Sequence, residues 1–168
     1  MSSAEQVTWS DVAGTELDAP TLYDVLALRS AVFVVEQECA YQDPDGRDLF
    51  EGTRHLIGRQ GVVTAYARIL APDTVVEQRA PASGQTRPDL PVPRIGRVIV
   101  TRQAREQQLG RRLIERALSS CEEHWPGQPI ELGGQAHLVD FYRSMGFVPI
   151  GAPYVEDGIP HQWMRRES

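Results

Sequence analysis

The helix written into residues 107–124 constrains this chain more than any other segment. Leu109, Leu113, Ala117 and Cys121 recur every fourth position, and Gly110, Ile114 and Leu118 run beside them. One broad side of that helix is apolar and has to be buried against another layer. β-rich runs bracket it, Ile95 to Thr101 before and Pro129 to Leu132 after, and Trp125-Pro126-Gly127 stops it. A second helix is predicted over Ala136 to Met145, closed by Gly146 at a C-cap position, with Phe147 to Ile150 as the next strand. Strand, helix, strand, helix, strand describes a sheet with helices packed on it, an α/β (α+β) architecture.

The first half supplies further layers. Val7 to Trp9 opens a strand. Pro20 precedes Leu22, Val25, Leu26 and Leu28, and the helical spacing runs on to Val32 and Phe33. Phe33-Val34-Val35 is β-like, so the helix is predicted to end near there. Asp43-Pro44-Asp45-Gly46 signals a turn. His55 to Arg59, Gln60-Gly61 and Val62 to Leu70 form a hairpin. Gly158-Ile159-Pro160 through Trp163-Met164 is expected to form a last turn and strand. From Ala71 to Pro93 the chain carries Pro72, Pro81, Pro88, Pro91 and Pro93. At roughly twenty residues this exceeds most loops within a domain. It is expected to be an excursion inside one domain spanning 1–168, because neither flank looks able to fold alone.

A net charge of −6 argues against a general nucleic-acid or membrane-surface binder, since both need a basic face. It leans toward a cationic acceptor. The two cysteines, Cys39 and Cys121, form neither a disulfide framework nor part of a Cys/His metal set. Met1 to Ser10 is polar and acidic, unlike a signal peptide, and no run approaches the roughly 20 apolar residues of a membrane helix. The expectation is a soluble, cytoplasmic protein with no metal.

The chemistry concentrates in Val98-Ile99-Val100-Thr101-Arg102-Gln103-Ala104-Arg105-Glu106-Gln107-Gln108-Leu109-Gly110-Arg111-Arg112. A strand passes through a short loop into the amphipathic helix. Arg105, Arg111 and Arg112 stand at the helix start, where the dipole is already positive. An anion bound there would explain them, held by free N–H groups and arginines together. The alternative is a solvated arginine face on an ordinary helix. The segment is neither a Walker loop nor a dinucleotide glycine fingerprint.

Arg105, Gln108 and Gly110 resemble the pyrophosphate loop of the GNAT superfamily, Arg/Gln-x-x-Gly-x-Gly/Ala, with Gln108 where glycine is usual. Phe141-Tyr142-Arg143-Ser144-Met145-Gly146-Phe147 resembles the Phe-Tyr-x-x-x-Gly-Phe end of the same superfamily, in the expected order. Arg29 to Gln37, Tyr41-Gln42-Asp43, Ala65 to Leu70, Ile95 to Val100, Gln135 to Leu138 and Glu156 to His161 resemble its ElaA-like branch over nearly the whole chain. The proline-rich excursion is longer than in that branch.

The resemblance implies a GNAT fold: one mixed, mostly antiparallel sheet of roughly six to seven strands with about four helices, and a V-shaped splay between central strands. It implies an acetyl-CoA-dependent N-acetyltransferase using direct attack in a ternary complex. The backbone of Val98, Ile99 and Val100 would pair with the pantetheine arm and polarise the thioester. Arg105 and the amides of Gln107, Gln108, Leu109, Gly110 and Arg111 would hold the pyrophosphate, with Gln135 near the cofactor. Tyr142 is the candidate general acid, since a free tyrosine is protonated at neutral pH. Some superfamily members use a Glu as base on the strand that here carries Arg97. The candidates left are Glu36, His55, Glu131, His137, His161 or a water chain. His137 and His161 come first, because they flank the expected cleft and histidine titrates in the right range. His124 reads as a helix end. Arg29, Glu36 and Tyr66 are expected on the acceptor wall; an internal ion pair and a strand tyrosine are the alternative. The acceptor is a small-molecule or protein amine, and a homodimer is left open. A non-catalytic acyl-CoA sensor on the same fold, or an unrelated phosphate-binding module, competes with catalysis.

Overall fold

The computed structural model describes residues 6–74 and 91–168, apart from the side chain of Glu106. Most of the proline-rich excursion, residues 75–90, therefore lies outside the described residues. The strands are β1 (Thr8–Ala13), β2 (Arg54–Gln60), β3 (Val62–Leu70), β4 (Arg94–Val100), β5 (Ile130–Gln135), β6 (Val148–Pro149), β7 (Tyr154–Glu156) and β8 (Ile159–Arg166). The α-helices are α1 (Ala19–Arg29), α2 (Leu109–His124) and α3 (Val139–Arg143). All eight strands join one sheet in the order β1-β2-β3-β4-β5-β8-β6, with β7 paired to β8. Every pairing is antiparallel except β4 with β5. No helix among the described residues is long and apolar enough to cross a membrane.

The strand count exceeds the sequence expectation by at least one, because the tail folds into a β7–β8 hairpin. Asp157 and Gly158, both left-handed with φ of 49° and 79°, make its turn. Three α-helices, against about four expected, are present among the described residues. The helix predicted over Ala136 to Met145 begins as a 3₁₀ turn at Ala136–Leu138, and α3 proper spans Val139–Arg143. Gly146 closes it with φ 88°, as its position suggests.

Asp18 caps α1, its carboxylate accepting from the Thr21 amide at 2.7 Å, with Pro20 in the first turn. The β-like run at residues 33–35 stays helical, as a π-helical turn over Ser30–Glu36. Val32 and Phe33 pack with Val25, Ile57 and Tyr66 there, and that burial outweighs local strand preference. β5 also outruns its prediction, passing through Gly133 and Gly134. A Cβ on Gly134 would lie 2.8 Å from the Tyr142 ring, and one on Gly133 would lie 2.7 Å from Tyr154 Oη. Both glycines let another group approach the strand closely, rather than ending it.

The apolar side of α2 is buried as its spacing requires. Leu113, Ile114, Ala117 and Cys121 pack with Leu56, Ala65, Ala67, Ile69, Leu132 and Met164. A smaller apolar cluster of Val25, Val32, Ile57, Val63, Tyr66 and Ile99 forms with α1.

β4 and β5 share only two rungs, Arg94 with Glu131 and Ile95 with Leu132, then separate. A bulge between Tyr66 and Arg68 of β3 sets Arg97 and Val98 of β4 opposite Ala67, and Arg97 takes φ 52°. Such a bulge bends its strand and strengthens its twist. β4 thus leans away from β5 and opens a V.

Candidate active site

The V opens into a cleft of about 1890 Å³. Val98, Ile99 and Val100 line it, all beyond the last β4–β5 rung. Their strand edge toward β5 thus carries no ladder, and its backbone groups are available to a ligand. At the far end of this edge sits the start of α2. Gly110 lines the cleft, and a Cβ there would lie 3.8 Å from Phe141 and 3.9 Å from Val100.

α2 starts at Leu109, two residues later than predicted, after a 3₁₀ turn over Arg102–Gln107. Gln108 joins the two with φ 55° and gives no side-chain cap. This left-handed backbone is the physical reason a glycine suits the position. The first amides of a helix lack intrahelical acceptors, so the uncapped start presents donors beside Val100. Arg105 lines the cleft, with Nε donating to the Val100 carbonyl at 3.1 Å and Nη2 to Glu36 at 3.1 Å. The other loop residues contribute less through their side chains. Leu109 is fully buried, Gln107 accepts from Gln60 Nε2 at 3.0 Å, and Arg111 donates to Ser144 Oγ at 2.8 Å. None of those three lines the cleft.

Tyr142, His137, His161 and Gln135 do line it. Tyr142 is 4% exposed, its ring edge-on to Phe141 and Phe147. Burial pushes its hydroxyl up to about 12, so it holds its proton across the neutral range. Gln135 reaches Gln37 at 3.4 Å and pairs with His161 across the β5–β8 ladder. His161 Nδ1 lies 2.8 Å from the Ile159 carbonyl. A carbonyl only accepts, so Nδ1 carries a hydrogen. Glu156 stands 3.9 Å from Nε2, and the ring stacks on Tyr154. His137 is exposed on the 3₁₀ turn before α3.

Several expected site residues lie elsewhere. Arg29, expected on the acceptor wall, is 0% exposed and bonds Asp43 at 2.7 Å and Asp48 at 2.5 Å. Tyr66, expected beside it, is equally buried and meets His55 Nδ1 at 2.8 Å. His55 Nε2 faces the Asp48 carbonyl at 2.7 Å, so Nε2 donates, Nδ1 accepts from Tyr66, and the ring is neutral. Burial holds its pKa below the usual imidazole range. Glu131 is buried against Arg165 at 2.7 Å. All four are absent from the cleft lining, because packing and internal partners claim their polar atoms. Glu36 is on the wall, but hydrogen bonds from Arg102 and Arg105 hold its carboxyl below the usual range. It therefore braces Arg105.

The sequence carries no local sign of the charge network beneath the β3–β4 side of the cleft. Residues 37–53 carry Asp43, Asp45 and Asp48 over the sheet. Asp48 bonds Arg29 and Arg68, Asp45 bonds Arg68 at 2.6 Å, and Asp43 bonds Arg97 at 2.7 Å. Burial works against the charge on Asp45 and Asp48, yet Arg68 at the first and Arg29 with Arg68 at the second hold both below the usual carboxylate range. Asp43-Pro44-Asp45-Gly46 signalled only a turn, and its partners lie far away in sequence.

The divided β4–β5 pair, the uncapped α2 start and Tyr142 between them define an acyl-CoA-type transferase fold. The family described as an acetyltransferase (GNAT) domain matches residues 75–168, and the chain belongs to this family. It is 46% identical over 162 residues to protein ElaA of Escherichia coli strain K12, across 96% of this chain and 97% of that protein. The crystal structure of Escherichia coli ElaA superimposes with a TM-score of 0.83 at 44% identity, covering 96% of this chain and 100% of that one. An acyl-CoA N-acyltransferase from Pseudomonas aeruginosa superimposes with a TM-score of 0.82 at 41% identity, covering 96% and 99%.

Proposed function

We propose that the protein is an N-acetyltransferase that moves the acetyl group of acetyl-CoA to an amine by direct attack in a ternary complex. The observation that carries this is the two-rung contact between β4 and β5, which leaves the Val98–Val100 edge open beside the uncapped start of α2. That edge suits the amides of a pantetheine arm, and its N–H groups can polarise a thioester carbonyl. The amides at Gln108 to Arg111, with Arg105, suit a pyrophosphate. The amine nitrogen forms a bond to the thioester carbon while the carbon–sulfur bond breaks. His161 Nε2 takes the proton lost by the amine, directly or through water, and Tyr142 gives its proton to the leaving thiolate. The products are an acetamide and the coenzyme A thiol.

Calorimetric titration with acetyl-CoA, coenzyme A and ADP tests the cofactor site. Micromolar binding of acetyl-CoA, lost in an Arg105→Ala/Arg111→Ala variant, is expected. Lack of binding at high concentration would sink the proposal. Binding without thiol release from any amine would favour a sensor on the same fold. Tyr142→Phe is expected to lower kcat by about 10²-fold, the low end for general acids, because a thiolate leaves with modest help. Its acetyl-CoA affinity should barely change. Full turnover in that variant would remove Tyr142 from the chemistry.

A further inference from the structure

The acceptor end of the cleft is lined differently from the α2 end. Residues 41–47, β3 and the first half of β4 bring Arg47, Arg68, Arg94 and Arg97 to its wall with Asp45 among them, while Glu156 and Asp157 line the cleft from the β7–β8 turn. Asp43 and Asp48 lie behind these arginines, 3% and 7% exposed. The positive side of the network therefore faces the cleft.

Arg97 is the member prepared for a ligand. Its left-handed backbone, at φ 52°, is a costly choice for a residue with a Cβ, and such outliers gather at functional positions. Asp43 Oδ1 accepts from Nε at 2.7 Å and the Asp43 carbonyl from Nη2 at 3.1 Å. The Tyr41 ring lies 6.0 Å from the guanidinium. Nη2 also lies 3.5 Å from Asp45 Oδ2, none of these contacts uses Nη1, and the side chain is 25% exposed on the cleft wall. Arg97 stands two residues beyond the last β4–β5 rung. Gln135, which pairs with His161, stands three beyond it on the other arm. Arg97 and His161 thus line the same cleft from opposite arms. The α2 start adjoins Val100, three residues and roughly 10 Å further along β4, so a pyrophosphate there does not serve Arg97.

We propose that the acceptor is an amine that also carries a carboxylate, of the free amino-acid type, with the carboxylate on Arg97 and the amine before the thioester. This rests on the acetyltransferase reading and names its substrate class. The product is an N-acetylamino acid, the carbon–nitrogen bond forming as the carbon–sulfur bond breaks. The protein's net negative charge alone leans toward a cationic acceptor; the local arginines outweigh it at this short range.

The test measures thiol release from acetyl-CoA with the standard amino acids, each matched with its amide and its decarboxylated amine. Acids are expected to exceed their matched amides in kcat/KM by about tenfold or more, as an arginine–carboxylate bond would give. In Arg97→Gln that ratio should collapse toward one, mainly through KM, with the Kd for acetyl-CoA unchanged and Arg97→Lys recovering part of it. The wild-type comparison stands even if Arg97→Gln folds poorly. Equal rates for acids and amides would overturn the proposal, as would acetyl-CoA binding with no member of the panel acetylated. A carboxylate preference on the acyl side, with succinyl-CoA preferred to acetyl-CoA and the preference lost in Arg97→Gln, would also overturn it. Failure to bind acetyl-CoA at all is a separate outcome, and removes the acetyltransferase reading together with this one.

Discussion

The two faces of the sheet are held to their covering layers by different forces. Against α2 the contact is apolar: Leu113, Ile114 and Ala117 meet Leu56, Ala65, Ile69 and Leu132. Against α1 and residues 37–53 a smaller apolar cluster is joined by Arg29, Asp43, Asp48, Arg68 and His55, all buried. Non-directional burial tolerates modest change in shape. A buried charge network does not, because removing one partner strands the others. The apolar face anchors the helix whose N-terminus reaches the cleft. The charged face fixes the direction of Arg97 on the cleft wall.

Removal of a buried counter-ion should break this comparison open most forcefully. Asp48→Ala leaves Arg29 and Arg68 short of a partner and is expected to cost about 3–5 kcal/mol in urea unfolding. A loss below about 1 kcal/mol would mean the network does not hold this face. Acidification should act on the same face more gently. The folded-state pKa of His55 is depressed, so the unfolded chain takes up a proton first, and stability falls as pH drops below about 6.5. Asp45 and Asp48 are also depressed, so their contribution is present above about 4 and is lost as pH falls further. The melting temperature should therefore fall between pH 7 and pH 5, and His55→Gln should flatten that interval while lowering the melting point overall. Ile114→Val, on the apolar face, is expected to cost about 0.5–1.5 kcal/mol with no pH dependence in the same range. Gln108→Gly should give the smallest change and the opposite sign. Relief of the left-handed backbone exceeds the added chain entropy, for a gain of up to about 1 kcal/mol. A loss of stability there would show that Gln108 has a packing role.

Legibility followed the same division. The apolar face of α2, the hairpin at Gly61 and the stop at Gly146 are local signals, and the structure carries each. So are the motif positions Arg105, Gly110 and Tyr142, which the fold brings to one cleft. Arg29 and Tyr66 lie off the cleft, and nothing nearby in sequence says that residues 37–53 cover them. The sequence marks Arg97 only as the residue standing where a base is absent. Its role depends on a bulge and on Asp43, 54 residues away.

The sequence by itself determined which segments bury an apolar side and where the β4 loop meets a helix, because periodicity and turn chemistry act between near neighbours. Tertiary structure decided which polar groups reach the cleft. His55 and His161 are alike as residues; one is sealed between Tyr66 and the Asp48 carbonyl, and the other lines the cleft with Nε2 3.9 Å from Glu156. Burial and long-range pairing make that choice, and neither is written in the residues on either side.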